Sequence, residues 1–257
     1  MDFVSYFKQL YSGKDVLRKH LLLFSVVGIT TLLLNNVASA FTNNILSEQL
    51  TIAPNSTVEL VMEFAFGIIL WFHIFGYEYK FLSDMMNDRD IAIPEFDEDV
   101  LLTSFKMVPI FLLWQIYFFA ISFFTGIYTI ATQDLVYYFL AGTLLLFFTP
   151  FVFMIYVKFS KDFKYSRDVV IPWYIARYID RGLVDVVLWS VKFGAYALLP
   201  VAFFVGYFDW AIHLTSQLPR LVAYLGGLCI SSYIFTIYKL IYGLGMAKIV
   251  KEKVLPN

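Results

Sequence analysis

The sequence contains one cysteine and three histidines in 257 residues. Cys229 lies within an apolar run, so an intrachain disulfide framework and a cysteine-based metal site are both excluded. His20, His73 and His213 fall before, within and beyond long apolar segments, so they cannot converge on one metal ion. The motifs H-E-x-x-H, G-x-S-x-G and the P-loop are missing as well. We therefore expect no enzyme activity, no metal and no cofactor.

Charged residues are also scarce. They make up 15% of the chain, against about 25% in an average soluble domain. Hydrophobic residues account for 60% and are gathered into long runs, and about twenty apolar residues suffice to cross a hydrocarbon core of about 30 Å. The net charge is −1 and the basic residues are scattered in small groups, which argues against a nucleic-acid partner. The composition predicts a single integral membrane domain over residues 1–257.

Six apolar segments predict transmembrane helices, because a helix satisfies its own backbone hydrogen bonds within a bilayer. The segments cover residues 21–41, 58–77, 107–131, 135–157, 184–206 and 221–246. The expected fold is thus an all-α membrane protein with six transmembrane helices.

The distribution of lysine and arginine predicts the orientation. These residues are concentrated in the N-terminal segment, the connections 78–106 and 158–182, and the C-terminal tail. The alternate connections, 42–57, 132–134 and 207–219, contain none. By the positive-inside rule, both termini are expected to face the cytoplasm.

The N-terminal segment predicts a short helix lying on the cytoplasmic membrane surface. Its apolar residues follow helical spacing: Phe3, Phe7, Leu10 and Tyr11. The alternative is a frayed tail.

A seventeen-residue segment occurs twice, without a gap. Residues 80–96 read KFLSDMMNDRDIAIPEF, and residues 158–174 read KFSKDFKYSRDVVIPWY. Each copy lies between two apolar runs, which predicts a duplicated helix–cytoplasmic loop–helix unit. Within each copy, Ile93-Pro94 and Ile171-Pro172 are expected helix stops, because proline disfavours helical geometry in the residue before it.

The charged residues of the two copies are candidates for docking a protein partner. The alternative is a solvated loop without a partner. The candidate docking residues are Arg89, Asp90, Glu95, Asp97, Glu98, Asp99, Arg167 and Asp168. In the second copy, Trp173, Tyr174, Arg177 and Arg181 combine aromatic and basic groups at helical spacing, a pattern typical of a lipid-headgroup interface.

Among the ionisable residues within predicted spans, Lys192 and Glu63 are candidates for a pair inside the membrane, whereas Lys239 is closer to the cytoplasmic end of its span and can snorkel. Lys192 lies near the middle of the fifth span, where a charge costs about 2.5–3.5 kcal/mol on insertion scales. Glu63, in the second span, is predicted at a similar depth, so the two form a candidate intramembrane pair, with His73 nearby in sequence. Such a pair would serve either a transport site or the structural orientation of two helices.

Three short motifs are distinctive: the opening FKQLYSGKDVLRKHLLLF, Gly76-Tyr77 followed by Ile93-Pro94-Glu95-Phe96-Asp97, and Ile241-Tyr242-Gly243. With these motifs the chain resembles the uncharacterised prokaryotic membrane-protein family catalogued as domain of unknown function 4013. Phe96 stands where the family usually has tryptophan. The resemblance implies a multi-pass protein of the prokaryotic cytoplasmic (inner) membrane. It implies no particular activity, because the family is uncharacterised.

Two functions from different classes follow. The first is a non-catalytic membrane scaffold or accessory subunit that presents connections 78–106 and 158–182 to another membrane or cytoplasmic protein. The second is a small transporter or channel that uses Glu63 and Lys192. Membrane lipids are expected partners in both, and a lipid-handling activity is a third possibility.

Overall fold

The computed structural model describes residues 3–42, 57–89, 93–132 and 135–255, and these residues fold as α-helices and their connections. In chain order the helices are α1 (Phe3–Leu10), α2 (Val16–Thr42), α3 (Thr57–Met86), α4 (Glu98–Thr132), α5 (Leu135–Asp162), α6 (Arg167–Val170), α7 (Ile175–Ile212) and α8 (Gln217–Ile249). A 3₁₀ turn precedes α7 at Pro172–Tyr174, and a π-helical turn follows α8 at Val250–Val254. The predicted all-α class is confirmed for this part of the chain.

Five helical stretches of the described residues are long and apolar enough to cross a membrane. They are Val16–Ala38, Thr57–Met86, Glu98–Tyr128, Pro172–Ile212 and Gln217–Val254. Each contains most or all of one predicted span, and each is compatible with a multi-pass membrane protein. The remaining predicted span, 135–157, lies within α5 and stays a prediction. Most of the connection 42–57 and part of 132–134 lie outside the described residues.

The long helices pack as an inner and an outer set. Helices α3, α5 and α8 pack against one another and form the inner set. Each outer helix lies between two inner ones: α4 between α3 and α5, α7 between α5 and α8, and α2 between α8 and α3. The buried side chains of these helices form one continuous core.

Two glycines permit close helix contact. At Gly76 of α3, a Cβ atom would meet the carbonyl oxygen of Val100 and the hydroxyl of Ser104, both on α4. At Gly245 of α8, a Cβ atom would enter the indole of Trp189, whose Nε1 donates a hydrogen bond to a carbonyl of α8 at 3.1 Å. Small residues at helix crossings let the backbones approach in this way.

One end of the bundle gathers most of the charged side chains, and we call it the charged end. It comprises α1, the connection between α3 and α4, the connection between α5 and α7, and the π-helical turn. Contacts between residues far apart in sequence join these connections, the π-helical turn and the adjacent ends of α2, α5 and α7: Lys19–Glu95 at 3.9 Å, Lys251–Asp88 at 2.5 Å, Lys253–Asp185 at 3.6 Å, and Asn87 Nδ2 to the Lys161 carbonyl at 2.9 Å.

Helices α3 and α5 end before the Ile-Pro pairs that were expected to stop them. Asp88 and Phe163 adopt left-handed backbone conformations, each with φ of 54°. Left-handed residues just past a helix commonly close its last turn, and here the backbone N–H of Phe163 donates to Phe159 at 2.8 Å. The prediction of helix ends at Ile93-Pro94 and Ile171-Pro172 was therefore wrong for the long helices. Only the short α6 ends beside Ile171.

Helix α1 docks on the bundle through part of its predicted apolar face. Phe3, Tyr6 and Leu10 are buried, whereas Phe7 and Tyr11 are exposed. The rings of Phe3 and Tyr196 stack with centroids 4.4 Å apart. The sequence pattern identified the helix and two of its three buried residues, Phe3 and Leu10; its position on a membrane surface stays a prediction.

Candidate functional site

The predicted intramembrane pair is not formed. Lys192 is exposed and makes no ion pair with any described residue; it lines a depression at the charged end together with Asp185, Lys248 and Glu252. Glu63 is half-buried on α3, and its Oε2 is enclosed without a hydrogen-bond partner in the described structure. The pairing failed because the depth was misjudged: α3 reaches the charged end at Met86, so Glu63, near the start of α3, lies far along the bundle from Lys192.

His73 takes part in a local contact only. Its Nδ1–H donates to the carbonyl oxygen of Ile69, one turn earlier in α3, at 2.9 Å. This bond satisfies the ring nitrogen within the helix, so the structure does not bring His73 together with Glu63 and Lys192 in a polar site.

A different ion pair links two inner helices. Lys239 of α8 contacts Oε2 of Glu78 on α3. The Glu78 side chain is 8% exposed and that of Lys239 is 50% exposed. Oε2 receives no aligned hydrogen bond from the described residues, so the contact is ionic in character. The sequence did not predict this pair, because Glu78 was assigned to the connection 78–106 and Lys239 falls near the cytoplasmic end of the predicted span 221–246.

His20 joins α1, α2 and α8. Its Nε2 lies 3.1 Å from the carbonyl oxygen of Leu10, and its Nδ1 lies 2.6 Å from the hydroxyl of Tyr233. A carbonyl can only accept, so Nε2 carries the proton and the neutral ring accepts from Tyr233 at Nδ1. The ring of Tyr11 stacks on His20 with centroids 4.1 Å apart. The contacts are those of a structural junction.

Most of the acidic docking candidates have structural partners. Oδ1 of Asp97 accepts the backbone N–H of Val100 at 3.2 Å, which caps the first turn of α4. Lys19 lies 3.9 Å from Glu95, and Lys80 lies 3.7 Å from Asp99.

The remaining docking candidates of the first copy differ in their contacts. Arg89 lies 3.3 Å from Asp84 and is otherwise exposed. Glu98 is exposed and makes no ion pair with a described residue. Asp90 lies outside the described residues.

The second copy forms a defined cavity. Two hydrogen bonds hold α6 against α4: Trp114 Nε1 donates to the Val169 carbonyl at 3.0 Å, and the Tyr117 hydroxyl donates to the Val170 carbonyl at 3.2 Å. This anchoring places Asp168 of α6 beside α5 and α7. The resulting cavity has a volume of about 180 Å³ and is lined by Lys158, Asp168, Arg177, Tyr178, Arg181 and Val254.

The cavity contains two of the four predicted lipid-interface residues, and the other two lie next to it. The guanidinium of Arg177 stacks on the Tyr174 ring at 4.5 Å from its centroid. Trp173 is 73% exposed. Arg167 is exposed and does not line the cavity, whereas its neighbour Asp168 does.

Asp168 and Lys158 form the ion pair of the cavity. Burial by itself would raise the pKa of Asp168. Hydrogen bonds from Lys158 and Ser166 and the positive charge of Lys158 lower the pKa by more, so it stays below its usual 3.8. The repeat carried a signal for this pair, since Lys and Asp recur at identical places in both copies. The repeat did not point to Tyr178, whose hydroxyl donates a hydrogen bond to Asp168 at 3.4 Å.

We predict that Asp168 makes stability sensitive to acid. Because its pKa is lower in the folded protein, its contribution is fully present above the unfolded value of 3.8 and is lost as the pH falls through the folded value. The difference in unfolding temperature between wild type and Asp168→Asn should therefore shrink below pH 3.8. Asp180→Asn removes an exposed carboxylate from the neighbouring helix and should show no such pH dependence; equal behaviour of the two variants would contradict the assignment.

No protein-family model matches the chain, and neither a curated protein nor a solved structure matches it. The resemblance to domain of unknown function 4013 therefore stays a prediction, and the function has to be argued from the residues.

Proposed function

We propose that the protein is a non-catalytic multi-pass membrane scaffold or accessory subunit whose charged end binds another protein at the cytoplasmic surface. The observation that carries the proposal is the linkage of the connections and the C-terminal turn by ion pairs and hydrogen bonds. A surface that is already ordered binds a partner without the entropic cost of arranging its loops.

The proposed topology has six spans, with α5 as the sixth. Helix α5 has 28 residues, and at a rise of 1.5 Å per residue it is about 42 Å long, enough to cross a bilayer. With this span included, each copy of the repeat contributes its first helix to the inner set and its second helix to the outer set. Helices α8 and α2 stand in the same inner–outer relation, which supports a duplicated unit with a third, divergent pair.

The proposed orientation places the charged end in the cytoplasm. The positive-inside distribution of lysine and arginine supports it, and so does the grouping of these residues at one end of the bundle. In this orientation α1 lies at the cytoplasmic membrane boundary, with Phe7 and Tyr11 facing outward. The resemblance stated above supports the cytoplasmic membrane of a prokaryote as the location.

The transporter is the alternative function, and one observation favours it. Glu63 has an enclosed carboxylate oxygen without a hydrogen-bond partner in the described structure. Ionisable groups in such positions often serve ion pathways. Its predicted cation, Lys192, lies elsewhere, so the alternative now rests on Glu63 alone.

The scaffold is tested by charge reversal at a candidate docking residue whose side chain makes no ion pair or hydrogen bond with a described residue. Glu98 is such a residue, whereas Glu95, Asp97 and Asp99 each have a structural contact. We expect a stoichiometric partner to co-purify with the wild-type protein in mild detergent and to be lost with Glu98→Lys, as measured by quantitative mass spectrometry.

The matched control is Asp209→Lys, which reverses an exposed carboxylate at the far end of α7. It should retain the partner. Loss of the partner with both variants, or recovery of the wild-type protein without any stoichiometric partner after crosslinking in native membranes, would refute the scaffold. In the second case, proton- or ion-flux measurements on Glu63→Gln would test the transporter.

A further inference from the structure

The cavity between α5, α6 and α7 has an excess of positive charge. Three cations line it, Lys158, Arg177 and Arg181, against the single carboxylate of Asp168. Asp168 is already paired with Lys158. The two arginines therefore lack a lining carboxylate of their own, and the cavity has a formal net charge of +2.

The two arginines also have N–H donors that no described residue uses. Each guanidinium carries five N–H donors. Arg181 uses one of them, from Nη1 to the Val254 carbonyl at 3.4 Å, and Arg177 faces the Tyr174 ring instead of an acceptor. Stacking on an aromatic ring fixes the plane of a guanidinium and leaves its edge available for hydrogen bonds. The cavity thus offers two fork-shaped donors at positions set by protein contacts.

We propose that this cavity binds a phosphate group, held by Arg177 and Arg181. A phosphate oxygen pair matches the guanidinium fork in geometry and charge. The roles of the other lining groups follow from their contacts. Lys158 and Tyr178 hold Asp168 by an ion pair and a hydrogen bond, which keeps that carboxylate turned toward its partners and limits its repulsion of an incoming anion.

The phosphate belongs either to an anionic lipid headgroup or to a soluble phosphate compound. Trp173 and Tyr174 lie directly before α7, and such aromatic residues settle at the membrane–water boundary. The cytoplasmic leaflet is rich in anionic lipids that attract clustered arginines. The placement favours the lipid source, and the experiment has one arm for each.

The lipid arm measures which lipid the purified full-length protein retains in native mass spectrometry, after incubation with equal amounts of phosphatidylglycerol and phosphatidylcholine. We expect wild type to retain phosphatidylglycerol in preference, because the choline ammonium would repel the arginines. Because charge-assisted hydrogen bonds to phosphate are lost, Arg177→Gln/Arg181→Gln should reduce the preference by about tenfold or more. Lys161→Gln/Lys164→Gln removes the same charge from exposed positions of the same connection and should keep it.

The soluble arm measures the unfolding temperature in detergent against inorganic phosphate, with chloride at equal ionic strength as reference. A phosphate-dependent rise that the glutamine pair at 177 and 181 abolishes supports the site. If this rise occurs and wild type shows no preference for phosphatidylglycerol, the ligand is a soluble phosphate compound. Absence of both responses in wild type overturns the proposal.

Two more comparisons distinguish a binding site with fixed geometry from nonspecific attraction between opposite charges. Arg177→Lys/Arg181→Lys keeps the charge but lacks the fork, so it should bind more weakly than wild type. If it binds as well as wild type, or if the Lys161/Lys164 control loses as much binding as the arginine variant, the proposed geometry is wrong. Equal unfolding temperatures of the variants without ligand establish that they are folded.

Discussion

Replacing Gly76 with alanine should destabilise the protein by about 3 kcal/mol, at the upper end of the usual cost of overpacking a core. The new Cβ atom would meet the carbonyl oxygen of Val100 and the hydroxyl of Ser104. The carbonyl belongs to the backbone of α4, so relief requires the two helices to separate. Ser104 also donates to the Phe72 carbonyl across the same contact, and separation breaks that hydrogen bond. The measurement is the free energy of unfolding in mixed detergent micelles.

The matched control is Gly194→Ala. Gly194 also lies within a long helix, but a Cβ atom there meets no other atom within 4 Å. Alanine is better than glycine in a helix by up to about 1 kcal/mol, so this variant should be neutral or more stable. Adding Ser104→Ala to Gly76→Ala should restore little, because the backbone oxygen stays in place. Full rescue by Ser104→Ala would show that the close approach of the two backbones is not the cause.

The positions of the helices could be predicted from the sequence because apolar length alone determines them. The stretches 58–77 and 184–206 each fall within one long helix. The helix ends could not be predicted, because they depend on left-handed turns at Asp88 and Phe163. Neither residue type is one that regularly marks such a turn as glycine does.

Part of the candidate site could be predicted: Asp168 was a docking candidate, Arg177 and Arg181 were lipid-interface candidates, and all three line the cavity. Lys158 was not singled out, although it recurs in the repeat, where Lys80 has the same place in the first copy, and the structure pairs it with Asp168.

The proposed pair between Glu63 and Lys192 had no support from the repeat. It relied on counting residues from the ends of the predicted spans, and that count placed the two residues at a similar depth. In the structure Lys192 lines a depression at the charged end, whereas Glu63 lies near the start of α3, away from that end, so the two do not meet.

The ion pair that does form leads to a second large effect. Lys239→Met leaves the Glu78 carboxylate, whose side chain is 8% exposed, without its counter-charge. Removing one partner of a buried pair costs about 3–5 kcal/mol, because an uncompensated charge stays in the interior. Since half of the Lys239 side chain is exposed, we expect a loss near 3 kcal/mol in the free energy of unfolding.

Two further variants show whether this loss comes from charge. Glu78→Gln/Lys239→Met removes both charges and should recover most of the lost stability, because a neutral pair has no uncompensated ion to bury. Lys192→Met makes the same substitution at an exposed lysine without an ion partner in the described structure, and it should change stability by less than about 0.5 kcal/mol. If the double variant is as unstable as Lys239→Met, the lysine stabilises α8 through the packing of its aliphatic stem. If Lys192→Met proves to be the damaging substitution, the depth-based pairing has to be reconsidered.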